Sequence, residues 1–333
     1  SAQPTAAEQM LASSLRSQVT RSFRRSSMLT FETVDVFTGT RFGGNPLAVV
    51  FGGEALDTAD MLKIAREFNY SETTFVLPPS DPSNTANVRI FTPAAELPFA
   101  GHPNIGTAFV LANRRELFGR PLPTDALRFE ELAGVVPVTL SRDPGGSIAA
   151  TLTAPQPFAR METSPTRQEV ATCLSLPPEE VVADPIVCSV GSPYVIAELA
   201  SAAALERCVL SLGGFSAAAV ASVGKIHAFV RAPKDDVGDA GDPDIKCRMF
   251  TARGSEDPAT GAANCALLGF LATELSGEGT LVRRIEQGVT MGRPSLLLGE
   301  VDYSQGKPTA VRIGGGCVPM MRGEFIQALR PGS

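Results

Sequence analysis

The sequence predicts an α+β protein made of two similar halves with a functional cleft between them. Three observations carry that reading. Arg89-Ile-Phe-Thr92 returns as Arg248-Met-Phe-Thr251. His102-Pro-Asn-Ile-Gly-Thr-Ala108 matches Asp257-Pro-Ala-Thr-Gly-Ala-Ala263. Each copy reads strand, loop, polar residue, Pro, two residues, Gly, one residue, Ala and then an apolar helix. Finally, the repeat spacing is about half of the 333-residue chain. That is too long for a solenoid unit and points to a duplicated domain.

The second copy shows the physical logic. Asp257 is expected as the N-cap, where a carboxylate accepts orphan backbone N–H groups. Pro258 is expected at the first helical position, where its missing N–H costs nothing. Ala262, Ala263, Ala266, Leu267, Leu268, Phe270 and Leu271 make a helix apolar on nearly every face, so it is expected to be buried. A buried helix whose positive end opens on a loop attracts anions. An anion is therefore expected against the backbone amides of 261–263 or 106–108. On this matching, His102 holds in one half the place that Asp257 holds in the other.

Several motifs, in order, resemble the phenazine-biosynthesis PhzF-like isomerase family. They are Val34-Asp-Val-Phe37 with Gly44-Asn-Pro46, Asn69-Tyr-Ser-Glu-Thr-Thr-Phe75, Phe99-Ala-Gly-His-Pro103, Glu256-Asp-Pro-Ala-Thr-Gly261 and Gln287-Gly-Val-Thr-Met-Gly-Arg-Pro-Ser295. The resemblance implies the diaminopimelate epimerase-like fold: two pseudo-symmetric domains, each a strand-rich barrel around a central helix, with the active site in the interdomain cleft. Residues 28–153 would form the first domain, completed by a C-terminal strand at 320–331. Residues 154–319 would form the second.

Residues 1–27 stand apart as an N-terminal extension, with helix expected near 6–25. They hold Arg16, Arg21, Arg24 and Arg25 against one acid, Glu8. The favoured reading is a plain extension of a cytoplasmic protein; the alternative is a mitochondrial targeting segment. Beyond it, 31–37 and 47–50 read as strands around a turn at 38–45. The span 58–67 reads as a helix with Met61, Leu62, Ile64 and Ala65 inward. Strands follow at 72–77 and 87–91, then a buried helix at 103–113, then strands at 129–132, 135–140 and 147–152. Pro155 and Pro157 mark a crossover. In the second half 167–174, 177–182 and 202–210 read as helices. Strands are expected at 187–189, 194–199, 227–231, 281–287, 295–303, 310–314 and 323–329, with an acidic loop at 234–244.

Glu72 opens a strand after Asn69-Tyr-Ser71. By itself it reads as a surface or turn acid. The matching place in the second half is assigned to Gly191-Ser-Pro193, so only one half supplies a carboxylate, as a single proton-transfer role requires. His102 alone reads as a capping or core histidine; at a helix start its neutral ring is favoured. The resemblance implies that Glu72 is the catalytic acid/base, with His102 and Asp257 beside it. It also implies substrate contacts from Asn45, Ser71, Gly101, Thr260, Gly261 and Ala262. Glu256 stays unassigned, and Asn104 and Asn264 are expected to shape the pocket. Ala262 stands where the family usually has Ser. Losing one hydrogen bond to a charged group is worth about 1.5–3 kcal/mol, so the substrate stays open.

Related epimerases use one thiol from each domain. Here those places carry Gly101 or His102 and Asp257, and Cys265 lies well past the helix start. The expected function is therefore a cofactor-independent isomerase moving a proton on a small anionic, carboxylate-bearing substrate. The family's type substrate is trans-2,3-dihydro-3-hydroxyanthranilate. Two alternatives remain: a non-catalytic small-molecule or protein binding module on this fold, and an epimerase or racemase using non-thiol acids. The resemblance alone implies a homodimer.

Composition excludes other classes. A net charge of −6 argues against general nucleic-acid binding. No run approaches the roughly 20 apolar residues of a membrane helix. Tryptophan is absent and three Tyr offer no base-stacking platform. Two His without an HExxH pattern make no metal site. Six Cys without a CxxC pair read as buried, reduced thiols.

Overall fold

The computed structural model describes residues 28–216, 218–232 and 242–326. The helix expected near 6–25, most of the 234–244 loop and residues 327–329 lie outside them. The first half lays down β1 (Thr30–Val36), β2 (Asn45–Phe51), α1 (Thr58–Phe68), β3 (Glu72–Leu77), β4 (Ala86–Phe91), the short β5 (Glu96–Leu97), α2 (Gly101–Ala112), β6 (Ala126–Glu131), β7 (Gly134–Arg142) and β8 (Ile148–Thr153). The second half lays down α3 (Arg167–Leu174), β9 (Ile186–Ser189), β10 (Pro193–Glu198), α4 (Ala202–Arg207), β11 (Lys225–Arg231), β12 (Ile245–Thr251), β13 (Glu256–Asp257), α5 (Gly261–Ala272), β14 (Glu278–Gln287), β15 (Ser295–Ser304) and β16 (Lys307–Glu324).

The first half closes on itself. β1 pairs with β2, β2 runs parallel to β3, and β3 pairs with β4. β4 runs parallel to β6, and β6, β7 and β8 follow as antiparallel neighbours. β16 then bonds to β8 and β1 and completes the ring. Closure leaves no sheet edge in this half. The ring surrounds α2, in which every residue but Ala112 is buried. A helix apolar all round can sit only in such an interior.

The second half repeats the plan. β9 pairs with β10, β10 runs parallel to β11, and β11 pairs with β12. β12 runs parallel to β14, and β15 and β16 follow. α5 occupies its interior, with only Ala262 and Phe270 not fully buried. The long β16 therefore serves both halves. Ile105, Ala108 and Leu111 of α2 share one core with Ala263, Leu267 and Leu268 of α5. Each such side chain, fully buried, contributes about 1.5–3 kcal/mol if aliphatic and large.

Strand register fixes the internal correspondence, and it differs from the motif matching. Phe91 faces Thr73 and Glu96; Phe250 faces Ile226 and Glu256. Glu96 therefore corresponds to Glu256, and Leu97 to Asp257. Both helices begin four residues later, so Gly101 corresponds to Gly261 and His102 to Ala262. His102 and Asp257 are thus not equivalent. The shared Pro misleads, because Pro103 lies inside the first turn of α2 while Pro258 precedes α5. The loop after Phe250 is also one residue longer than that after Phe91. The outer Arg match is genuine. Arg89 forks onto both oxygens of Glu96 at 2.7 Å, and Arg248 onto both oxygens of Glu256 at 2.8 Å. These paired bonds pin each two-residue strand and, with it, the entry to each helix. Glu256 has that structural role.

Candidate active site

Local chemistry places each side chain. Asp57 caps α1 by accepting from the Asp60 amide at 2.8 Å, and Asn69 ends it in the left-handed region at φ 53°. Asn tolerates that conformation better than most residues. The chain then turns directly into β3, whose first residue is Glu72. Parallel pairing with β2 sets Glu72 beside Leu47, two residues from Asn45. His102 is the second residue of α2, and its ring is buried.

The three proposed catalytic side chains converge. His102 Nε2 stands 3.3 Å from Glu72 Oε2, though not aligned as a hydrogen bond. Asn45 Nδ2 stands 3.3 Å from His102 Nδ1. It donates to Asp257 Oδ1 at 2.9 Å and to Ala259 O at 3.0 Å. An amide nitrogen only donates, so His102 Nδ1 is the accepting nitrogen and the ring hydrogen sits on Nε2, near Glu72 but not bonded to it. Ser71 Oγ donates to Asn45 Oδ1 at 3.1 Å. Thr260 Oγ1 donates to Asp257 Oδ2.

Burial controls the charges. It pushes Glu72 well above the ordinary carboxylate range, and the nearby Asp257 carboxylate pushes it further. Burial also raises Asp257, against hydrogen bonds from Thr260 and Asn45 that hold it down. Burial pushes His102 down to about 3. Near neutral pH the Glu72–His102 pair is therefore a carboxylic acid and an uncharged imidazole.

The helix starts differ from expectation. Asp257 is not the N-cap of α5 and Pro258 is not its first residue; Thr260 is the cap and Gly261 the first residue. Asp257 instead belongs to β13, paired with Met249, and this frees its carboxylate for Asn45 and Thr260. No side chain caps α2 or α5. The amides of 106–108 lie past the first turn of α2 and are used within the helix, so the open donors of that copy sit at its start near Gly101. The two starts abut. A Cβ on Gly101 would meet Gly261 Cα at 3.4 Å, and one on Gly261 would meet Gly101 Cα at 3.6 Å. Those are ordinary contact distances, so the two positive helix ends lie side by side with room for no more than a methyl group between them. Ala262 is half-buried beside them. Asn104 and Asn264 are buried and donate to the carbonyls of Ala100 and Thr260, each at 3.0 Å. They brace the helix starts.

Three residues escaped the sequence reading. Gln287, within the quoted Gln287-Gly motif, donates to Asp257 O at 2.8 Å and accepts from Thr260 N at 3.1 Å and Asn264 Nδ2 at 2.9 Å. It fixes the turn that carries Asp257. The other two are Lys225 and Tyr194. Register shows that the counterpart of Glu72 is Lys225, not the 191–193 turn, because Thr73 corresponds to Ile226. Ser192 corresponds to Asn45, because Ala48 pairs with Thr73 and Val195 with Ile226. The absence of a second carboxylate holds; its place is filled by a cation. Cys265 is buried within α5 with its thiol pushed up to about 12, so it is inert. Among the described residues no cluster of three metal-ligating side chains occurs, and no helix is long and apolar enough to cross a membrane.

The family profile described as phenazine biosynthesis-like protein matches residues 34–323. The chain is 36% identical over 312 residues to an uncharacterized isomerase of Mesorhizobium japonicum, covering 88% of this chain and 97% of that protein. It is 33% identical over 304 residues to the trans-2,3-dihydro-3-hydroxyanthranilate isomerase of Pseudomonas fluorescens, covering 90% of this chain and all 100% of the relative. The crystal structure of a PhzF-family phenazine biosynthesis protein from Bacillus anthracis superimposes with a TM-score of 0.77 at 23% identity, covering 90% and 99% of the two chains, and so shares the fold. The two-barrel architecture, the ordered motifs and these matches agree: the chain belongs to the phenazine biosynthesis-like protein family.

Proposed function

We propose that this protein is an isomerase in which Glu72 moves a proton between two positions of a small carboxylate-bearing substrate. The observation that supports it is the Glu72 environment. The carboxyl is half-buried, with little access to water, close to an uncharged His102 and to Asp257. An anion receptor gains nothing from such a group. Once ionised it would repel an anionic ligand: at about 4 Å and an effective dielectric near 20, two like charges cost roughly 4 kcal/mol. A carboxyl with a raised pKa can instead donate its proton to one atom and, once ionised, take one from another. His102 Nε2–H can hold the ionised form. Asp257, positioned by Asn45 and Thr260, is the second carboxylate, available to a substrate amine. The uncapped starts of α2 and α5 supply backbone donors for the substrate carboxylate.

The substrate we propose is of the trans-2,3-dihydro-3-hydroxyanthranilate type, the compound named for relatives 31–33% identical to this chain. The test is turnover of that compound in deuterated water, followed by NMR. The parent protein is expected to place one deuteron on carbon. Glu72→Gln is expected to bind the compound with unchanged affinity by calorimetry and to place none. Unchanged incorporation by the variant would remove Glu72 from the mechanism. Tight binding without turnover across a panel of cyclic amino and hydroxy acids would make the parent a binding protein.

A further inference from the structure

Lys225 opens β11 as Glu72 opens β3, and Ser192 precedes β10 where Asn45 opens β2. The two halves therefore present corresponding pairs of opposite character: Asn45 with an acid, Ser192 with a base. Lys225 Nζ donates to Ser192 Oγ and lies 4.3 Å from the centre of the Tyr194 ring. Among the described residues no carboxylate comes within ion-pairing distance of it. It is half-buried, so its ammonium has lost part of its water without gaining a counter-ion, a costly state unless a ligand supplies one. Tyr194 links this group to the catalytic side. Its ring is buried beneath Lys225, and its hydroxyl lies within electrostatic reach of both Asp257 and Glu72. Tyr194 thus stands between the cation and the two carboxyls.

We propose that Lys225, braced by Ser192 and Tyr194, binds an acidic group of the substrate on the second-half wall of the cleft and so selects substrates that carry one there. This rests on the cleft assigned above. It goes beyond it by giving the second half a charged contact of its own, separate from the helix-start amides.

The probes are 3-hydroxyanthranilate and its uncharged carboxamide, titrated by calorimetry into the full chain, Lys225→Met and Lys225→Arg. Lys225→Met is expected to weaken the acid at least tenfold and the amide less than twofold. Lys225→Arg is expected to keep most of the affinity for the acid. In turnover assays Lys225→Met is expected to raise KM and leave kcat nearly unchanged, as loss of uniform binding does. Equal losses for acid and amide would reduce Lys225 to a structural role. No loss for the acid would leave its carboxylate to the helix amides. Either result overturns the proposal. Lys225→Gln replaces the Met variant should that one fail to fold. An acid-selective loss in a protein that turns over no substrate would sustain the Lys225 contact and sink the isomerase reading instead.

Discussion

Asn45 and Asp257 lie 212 residues apart in the chain and are joined by a 2.9 Å hydrogen bond from Nδ2 to Oδ1. That bond crosses from the first half to the second. The same amide nitrogen reaches Ala259 O and the edge of the His102 ring, while Asn45 Oδ1 receives Ser71. One fully buried side chain thus holds His102 and Asp257 in one frame.

Asn45→Ala is expected to destabilise the protein by about 2–4 kcal/mol, because it strips partners from a buried carbonyl and a half-buried carboxylate. The denaturant midpoint checks this. Asn45→Asp is expected to be no milder, since it sets a new acid against Asp257. A midpoint within error of the parent for either variant would remove Asn45 from its bridging role.

Asp257→Asn is expected to shift the pH profile of kcat/KM. Asp257 carries negative charge beside Glu72 and helps to hold the proton on it. Removing that charge lowers the Glu72 pKa, so the limb assigned to Glu72 moves to lower pH. A shift toward higher pH, or none, would contradict the coupling. The height of the profile is expected to fall as well, by about 10²–10⁴ if Asp257 also relays a proton.

Stability is expected to fall with rising pH because of Glu72. Unfolded, the residue titrates near about 4.3. Folded, burial keeps its proton on to higher pH. Between those two values the folded state binds more protons than the unfolded, so unfolding becomes easier as pH rises. Glu72→Gln cannot ionise. Its melting temperature relative to the parent should therefore be more favourable at pH 8 than at pH 5. The reverse order would refute the burial argument.

Thiol chemistry is expected to be irrelevant. Cys265→Ala should keep turnover within about twofold, and iodoacetamide at neutral pH should not inactivate the folded protein, since the thiol is buried and held un-ionised. Rapid inactivation matched by loss of the Cys265 thiol in mass spectrometry would reopen a cysteine mechanism.

Much of this was legible in the residues. The apolar runs at 105–111 and 262–271 determined two buried helices, because no face of either could be given to water. The Arg-Ile/Met-Phe-Thr pairs announced the duplication. The inward Met61, Leu62, Ile64 and Ala65 marked α1 at 58–67, within one residue of its observed end, since amphipathic spacing is decided by a residue and its near neighbours. The convergence of Glu72, His102 and Asp257 was reachable only through motifs taken together, since each residue alone reads as a turn or cap. Tertiary structure alone decided which positions correspond across the two halves. A Pro and a Gly at matching spacing set His102 opposite Asp257, but strand register sets His102 opposite Ala262 and Glu72 opposite Lys225. Register is a property of pairs of strands, and one extra residue in the loop after Phe250 shifts everything beyond it. The protonation of Glu72 was beyond the sequence for the same kind of reason: it depends on how much water and which charges lie around the carboxyl, and residues far apart in the chain supply both.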